Sequence, residues 1–498
     1  MDPAYDDVGY FLDALNRLNI FQTSGIRALC DSLVQAPPHS LYSTLAAMAT
    51  FDLFGVHDWA PYISNGFVLF IFLLVAAYSI DLPDGITKSA IVLTLLMLQL
   101  PFQGILQFRP DFPLAVFTAA CVALLLKEAC WPSPGRSGLY RQFAIGLLGS
   151  CALATKPPFS PLTIVLLASA FGMAEIFRFA LNREDRALVP IIWRCFAFWA
   201  GVALLAGPLF CLTWREVTGY IAVNTGTGQE ASLWKASGGF MGSLTSRVRG
   251  WPAYLSFGPL EAPLTLWLGI GLVAQLYLRR WRSLLFSGGI LLLAGVSLLL
   301  IAAVGMTDPN FSLGWEAIFA LAAVISVGEL GKLPRGEIAV GCYVAMMAFI
   351  FYKAGPPHQV WEVIEDASKG HSLNQAVVTS ISELAPSKSR PKEVFLTFTG
   401  GVNAGSQNWL STVQHLGIQA DDRHRTKNPE EVLKQAAGAD FVEVADPASN
   451  WFASWVPINQ SQAFFLERMR ADDSFEEVRS FTGAGGTVYL FRRRTAPQ

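Results

Sequence analysis

The sequence predicts an α-helical polytopic membrane protein of about ten transmembrane helices, with a small extracytoplasmic α/β domain at its C-terminal end. Three observations carry this. Of 498 residues, 52% are hydrophobic and only 15% charged, where soluble domains carry about a quarter. Apolar runs recur between residues 63 and 355. Beyond residue 356 the composition turns polar and alternates strand-like with helix-like stretches. The net charge of -2 offers no basic surplus for nucleic acid. The seven cysteines are scattered, with no CxxC and no zinc-type Cys/His spacing, so neither a disulfide framework nor a zinc site is expected.

A spanning helix needs roughly 20 mainly apolar residues. That length places spans at 63–82, 86–105, 112–127, 142–156, 159–178, 192–213, 260–278, 284–304, 312–328 and 337–355. The fourth and fifth are separated by "TKPPFSP", whose prolines end one helix and open the next. The loops then set the orientation. Lys127, Arg136 and Arg141 share one loop; Arg178, Arg183, Arg186 and Arg194 the next on that side; Arg279, Arg280 and Arg282 the third; Lys332 and Arg335 the fourth. The alternate loops "QGILQFRPD", "TKPPFS" and "MTDPNFS" are short and poor in basic residues. Basic loops stay in the cytoplasm, so residues 1–60, the loop 214–259 and the tail face outward. The transmembrane domain thus covers 1–356 and the soluble domain 357–498. An even number of spans with both ends outside requires residues 1–60 to cross the membrane, which predicts either one more helix upstream of Met1, the favoured reading, or translocation of this tail with its first hairpin.

The outer segments are amphipathic. In "DDVGYFLDALNRL", Val8, Phe11, Leu12, Leu15 and Leu18 fall on one helical face. "SGIRALCDSLVQA" repeats the pattern with Ile26, Leu29 and Leu33, Ser24 standing as N-cap. "PPHSLYSTLAAMATFDLFG" adds a third helix from its prolines. Such helices lie along the membrane interface. In the tail, "EVFLTF" and "DFVEV" read as buried strands and "NPEEVLKQAAGA" as a helix begun by Asn428. "SQAFFLERMRADD" reads as a second helix, and "EEVRSFTGAGGTVYLFRRR" as two strands about a Gly-rich turn. "TGGVNAGSQ" is Gly-rich but lacks the GxGxxG spacing and the P-loop lysine of a nucleotide site.

Polar chemistry collects at the outer ends. Asp6 and Asp7 suit a helix start, where carboxylates meet the positive dipole end, and equally a general base able to reach an acceptor hydroxyl. In "FRPDF", Arg109 and Asp111 pair with each other, mark the helix start, or meet a charged substrate. Lys156 in "ATKPPFSP" either snorkels to headgroups or binds phosphate. Lys235, Arg247 and Arg249 share the long loop with Trp234 and Trp251, a composition that suits lipid headgroups or a phosphate fork. His39 and His57 read as structural, and Glu316 stands just inside a span, where an acid is costly unless solvated.

The order of these motifs resembles the GT-C membrane glycosyltransferases of the protein O-mannosyltransferase and lipid A aminoarabinose transferase type. The shared features are an acidic pair spaced DDxxY (Asp6, Asp7, Tyr10), "PPHSLYSTLAAMATFDLFG", "RPDFPLAVFTAACVALLLK" and "GLLGSCALATKPPFSPL". They cover residues 3–180, and the later spans match in number. In the aminoarabinose enzymes an arginine-bearing motif lies near the late spans; this chain has "TDPNFSLGWE" there. The resemblance implies inverting transfer of a sugar from a polyprenyl-phosphate carrier to a hydroxyl of a lipid, glycan or protein acceptor, at the outer face of the plasma (bacterial inner) membrane. Phosphate leaves without a proton, so one base suffices where glycosidases use two carboxyl groups. Carried over, Asp6 is the base, supported by Asp7 and Tyr10. Arg109 and Asp111 shape the site, and Lys156 with Lys235, Arg247 or Arg249 holds the phosphate. No cofactor is indicated, a divalent metal included, and the partners are the lipid-linked donor, the acceptor and membrane lipids. A transporter or flippase for a polyprenyl-linked glycan would place polar residues deep within several spans. A non-catalytic envelope assembly protein would have no need of an intact acidic pair.

Overall fold

The computed structural model describes residues 5–133, 135–182, 188–225, 239–249, 260–304, 313–354, 358–385, 391–396, 403–422, 428–448, 457–483 and 486–494. They form two compact units, one of Met1–Asn19, Ala47–Pro61 and Gln359–Gln498, the other of Ile20–Ala46 and Tyr62–His358.

The first two amphipathic segments form one helix, α1 (Tyr5–Gln35), kinked at Gly25 with φ 78°. That left-handed backbone comes most cheaply to glycine, and it divides the helix beside Ser24, where the sequence predicts a new start. The third is α2 (Leu41–Phe54).

All ten predicted spans fall on helices. These are α3 (Tyr62–Ser79), α4 (Gly85–Leu93) with α5 (Gln99–Leu106), α6 (Asp111–Cys130), α7 (Gly135–Thr155), α8 (Ser160–Leu181) and α9 (Leu188–Thr225). After α10 (Gly239–Arg249) come α11 (Glu261–Tyr277), α12 (Trp281–Val304), α13 (Leu313–Leu330) and α14 (Gly336–Ala354). Six stretches among the described residues are long and apolar enough to cross a bilayer: Tyr62–Ser79, Asp111–Cys130, Pro157–Leu181, Leu188–Arg215, Trp281–Ala303 and Gly336–Lys353.

Two expectations are corrected. The segment 86–105 is not one straight span. After α4 a short 3-10 turn, Thr94–Met97, leads to Leu98, extended at ψ 155°. Pro101 then sits in the first turn of α5. A helix running through Pro101 would lose an amide donor and clash with the carbonyl four residues back, so the chain breaks just ahead of it. Second, the loop assigned to 214–259 opens as helix, because α9 runs on to Thr225.

The bundle is built around α6, which packs on α3, α7, α8, α12 and α13. Its small side chains, Ala115, Ala119, Ala120 and Ala123, are wholly buried and admit close neighbours. Elsewhere glycines set the spacing. A Cβ on Gly146 of α7 would strike the carbonyl oxygen of Phe198, and one on Gly201 of α9 that of Phe143.

The basic loops meet at one end of this unit. Lys332 Nζ lies 3.1 Å from Asp81 Oδ2, Lys127 Nζ donates to Ser79 O at 3.3 Å, and Arg282 donates to Cys130 O at 2.9 Å and Asn182 Oδ1 at 3.1 Å. Arg178 and Arg194 both pair with Glu175. Lys332 draws the Asp81 carboxyl below its ordinary range.

The tail opens with a helix the sequence does not announce, α15 (His358–Leu384). There follow β1 (Lys392–Phe395), α16 (Ala404–Val413), β2 (Gln419–Asp422), α17 (Pro429–Ala436), β3 (Phe441–Ala445), α18 (Gln462–Ala471), β4 (Phe475–Gly483) and β5 (Gly486–Arg493). The sheet order is β2-β1-β3-β5-β4, the first three strands parallel and the last two antiparallel. Every residue of β3 is buried, as expected of a strand covered on both faces. Val394, Val442 and Phe491 pack with Val432 of α17 and Phe465 of α18. Phe441 and Leu490 pack with Val377 and Ile381 of α15. Asn428 caps α17 as expected, its side chain accepting from Glu430 N at 3.1 Å.

Two acids are enclosed in this sheet. Glu393 of β1 and Glu443 of β3 are both fully buried, and Gln407 of α16 donates to Glu443 Oε2 at 2.8 Å. Burial, and for Glu393 the neighbouring Glu443 carboxyl, pushes both well above the usual carboxylate range. The folded state therefore binds more protons than the unfolded chain between the two sets of pKa values. Stability is greatest below the unfolded value, about 4.3, and falls as pH rises through the folded ones. Glu443→Gln should melt with the wild type near pH 4. It should exceed it by about 1 kcal/mol or more at pH 8, some 2–4 °C in Tm. A pH-independent difference in thermal melts would contradict this.

Candidate active site

The acidic motif lies within the first turns of α1. Asp6 and Asp7 stand inside the helix rather than ahead of it, in its first turn, the end at which the helix dipole is positive. The side chain of Asp6 falls outside the described residues. Asp7 is fully buried, and Val8, Phe11, Ala14 and Leu18 extend the buried stripe. Tyr10 is half-buried and stands one turn after Asp6, on its face of the helix. Further along, Arg17 is buried, its Nε held by Asp13 Oδ1 at 2.9 Å. His57 stacks on Trp59 at 5.3 Å with the rings 9° apart, in keeping with a structural role.

In the helical unit three motifs converge. "FRPDF" closes the hairpin between α5 and α6, and Asn65 of α3 holds that hairpin by donating to Gly104 O at 2.5 Å and Gln107 O at 3.1 Å. "TKPP" forms the turn between α7 and α8. There Lys156 Nζ donates to Asp111 Oδ1 at 2.7 Å, both side chains being 7% exposed, and lies 4.6 Å from the Phe159 ring centre. Sequence proximity suggests an Arg109–Asp111 pair; the structure gives Asp111 to Lys156. Arg109 is half-buried beside them in the chain. "PPHS" joins the same cluster, as Ser40 Oγ donates to Thr155 O at 2.5 Å and accepts from Ser43 N at 3.1 Å. Ser40, Ser43 and Asn65 carry no motif signal of their own in the sequence, although Ser40 ends the conspicuous PPHS stretch. α6 has Asp111 at its first residue and Lys127 in its last turn, so this cluster occupies the end of the bundle opposite the basic loops.

A cavity of about 50 Å³, lined by Asp111, Thr118, Phe159, Ser297 and Gly314 among others, opens beside the pair. It has room for a water or two and none for a sugar. Glu316, two residues beyond Gly314, is fully buried in the first turn of α13. Its solvated reading is therefore corrected: it is enclosed at a helix N-terminus, where the dipole favours an acid. Of the long-loop cations, Lys235 lies outside the described residues. Arg247 and Arg249 lie on α10, their side chains outside the described set.

A bundle of apolar helices with its motif-bearing loops gathered at one end, followed in the chain by a mixed-sheet domain, is a GT-C-like fold. Among solved structures the chain is similar to ArnT from Cupriavidus metallidurans bound to undecaprenyl phosphate, with a TM-score of 0.58 and 11% identity over 98% of this chain and 94% of that one. The apo form of ArnT gives 0.58 at 13% identity. The archaeal oligosaccharyltransferase AglB from Archaeoglobus fulgidus, in complex with an inhibitory peptide and a dolichol-phosphate, gives 0.47 at 10% identity, over 98% of this chain and 70% of that one. The likeness at this identity is one of fold. No protein-family model and no curated protein matches the sequence.

Proposed function

We propose that the chain is an integral membrane glycosyltransferase that moves a sugar from a polyprenyl-phosphate donor to a hydroxyl of a lipid, glycan or protein acceptor. The observation that carries the reading is the buried Lys156–Asp111 pair, built from the RPD and TKPP motifs in a chain whose fold is that of a protein solved with undecaprenyl phosphate. A lysine enclosed at the end of an apolar bundle suits a lipid-borne phosphate. The donor chain stays among the helices, and the charge meets a cation already stripped of most of its water.

In this reading Asp6 takes the proton of the acceptor hydroxyl as that oxygen attacks the anomeric carbon. The carbon–oxygen bond to phosphate breaks, and polyprenyl phosphate departs as an anion that needs no proton. Attack opposite the leaving group inverts the anomeric centre. Asp7 and Tyr10 support Asp6. Lys156, aided by Lys235, Arg247 or Arg249, stabilises the charge growing on phosphate, while Arg109 and Asp111 shape its seat. In this reading the basic loops face the cytoplasm, as the positive-inside rule favours, and transfer takes place at the outer face of the plasma membrane.

The test is direct. Full-length protein in lipid nanodiscs is given radiolabelled sugars on polyprenyl phosphate, and in parallel the same sugars as nucleotide conjugates. Transfer or donor hydrolysis from the lipid-linked sugars alone is expected. Turnover of nucleotide sugars with no response to the lipid-linked ones overturns the reading.

A further inference from the structure

The helix that carries the acidic pair is held by the soluble domain through an aromatic socket. Phe11, fully buried on α1, meets Phe51 edge-on at 5.7 Å and 87°. It meets Trp409 at 5.4 Å and 66°. Phe51 of α2 and Trp409 of α16 stack on one another at 5.9 Å and 22°. All three belong to one compact unit. Trp409 is 4% exposed, so its ring is spent on this packing and offers no open face to an acceptor.

The spacing gives the socket its meaning. Phe11 follows Asp7 by four residues, one turn along the same face of α1. A helix turns about 100° per residue, so seating Phe11 fixes the rotation of α1 and with it the direction in which the Asp6-Asp7-Tyr10 turn is presented. The seat is itself well founded. α16 starts at Asn403, whose side chain accepts from Ser406 N at 2.9 Å. Its Asn408 is bonded to β2 through Ala420 N and Ala420 O at 2.9 and 2.7 Å.

We infer that Trp409, with Phe51, positions the acidic turn of α1 for transfer, making α16 of the C-terminal domain a positioning element of the acidic motif. The inference rests on the reading of Asp6 as the base. Displacements of about 1 Å cost on the order of a hundredfold in rate where a base must meet its proton.

The experiment uses the full chain in nanodiscs and three variants: Phe11→Ala, Trp409→Ala and Trp409→Phe. Hydrogen exchange at residues 8–18 reports the hold on α1, exchange in β3 reports the integrity of the sheet, and donor turnover reports the chemistry. Both alanine variants should speed exchange at residues 8–18 by about tenfold or more, with β3 unchanged. Both should lower kcat by ten- to a hundredfold, with donor KM within twofold, and Trp409→Phe should restore most of each loss. If Trp409→Ala also loosens β3, Phe11→Ala decides, because it leaves the sheet domain's own residues intact. Unchanged exchange in Phe11→Ala, or faster exchange with full kcat, overturns the inference. A wild type that transfers no lipid-linked sugar, yet shows the exchange pattern, instead overturns the function while leaving the socket standing.

Discussion

If Asp6 is the base, as proposed, Asp6→Asn should lower kcat for sugar transfer by about 10²- to 10⁴-fold, the usual worth of a general base, with little change in the thermal melt or in donor affinity. Asparagine keeps the size and polarity of the side chain at a position within the first turns of α1 and removes only the ability to take a proton. Measuring transfer, melting and donor binding on one preparation separates the base from the helix-start role. If Asp6 mattered only to the positive end of the helix, the change would cost a few tenths to about 1 kcal/mol of stability and spare the rate. Undiminished transfer by Asp6→Asn would remove the assignment.

The second large effect concerns Lys156. Lys156→Met leaves Asp111 buried without its 2.7 Å partner, and breaking a buried pair from one side costs roughly 3–5 kcal/mol. A drop of that size in detergent melts is therefore expected whatever the function. The double variant Lys156→Met/Asp111→Asn removes both charges and should recover most of the melt. Because the proposed donor phosphate uses the lysine itself, the double variant should still fail to bind polyprenyl phosphate and should transfer less than 1% of the wild-type rate, about 2.7 kcal/mol in the barrier. Recovery of donor binding together with stability would show that Lys156 serves Asp111 alone.

The helices were legible because apolar length is a local property that each stretch of chain carries by itself. So were the strands "EVFLTF" and "DFVEV" and the cap at Asn428. The break at Leu98 was harder to read, since Pro101 is a single letter inside an otherwise continuous apolar run. The helix His358–Leu384 escaped because much of it is polar, its apolar stripe only narrow. Of the site, the motifs themselves could be read, and their pairing could not. Asp111 and Lys156 are 45 residues apart, whereas Arg109 is a near neighbour of Asp111 in the chain. Phe11 and Trp409 stand at opposite ends of the chain, and nothing local in either stretch announces the other. Long-range partners are chosen by packing, which no window of sequence contains.

The burial of α6 bears on how the protein meets membranes of different thickness. The apolar window of that helix is 83% enclosed by protein, against 28% for Leu188–Arg215 and 22% for Gly336–Lys353. Hydrophobic mismatch acts on the surfaces that touch acyl chains, costing fractions of a kcal/mol per ångström. A thinner or thicker bilayer therefore tilts the outer helices first, and α6, sheathed in side chains, feels it only second-hand. Asp111 rides at the first residue of that sheltered helix. Of the charged pair, Asp111 is thus the sheltered partner, while Lys156 precedes a span whose window is only 33% buried, so a change in lipid reaches the pair from the lysine's side.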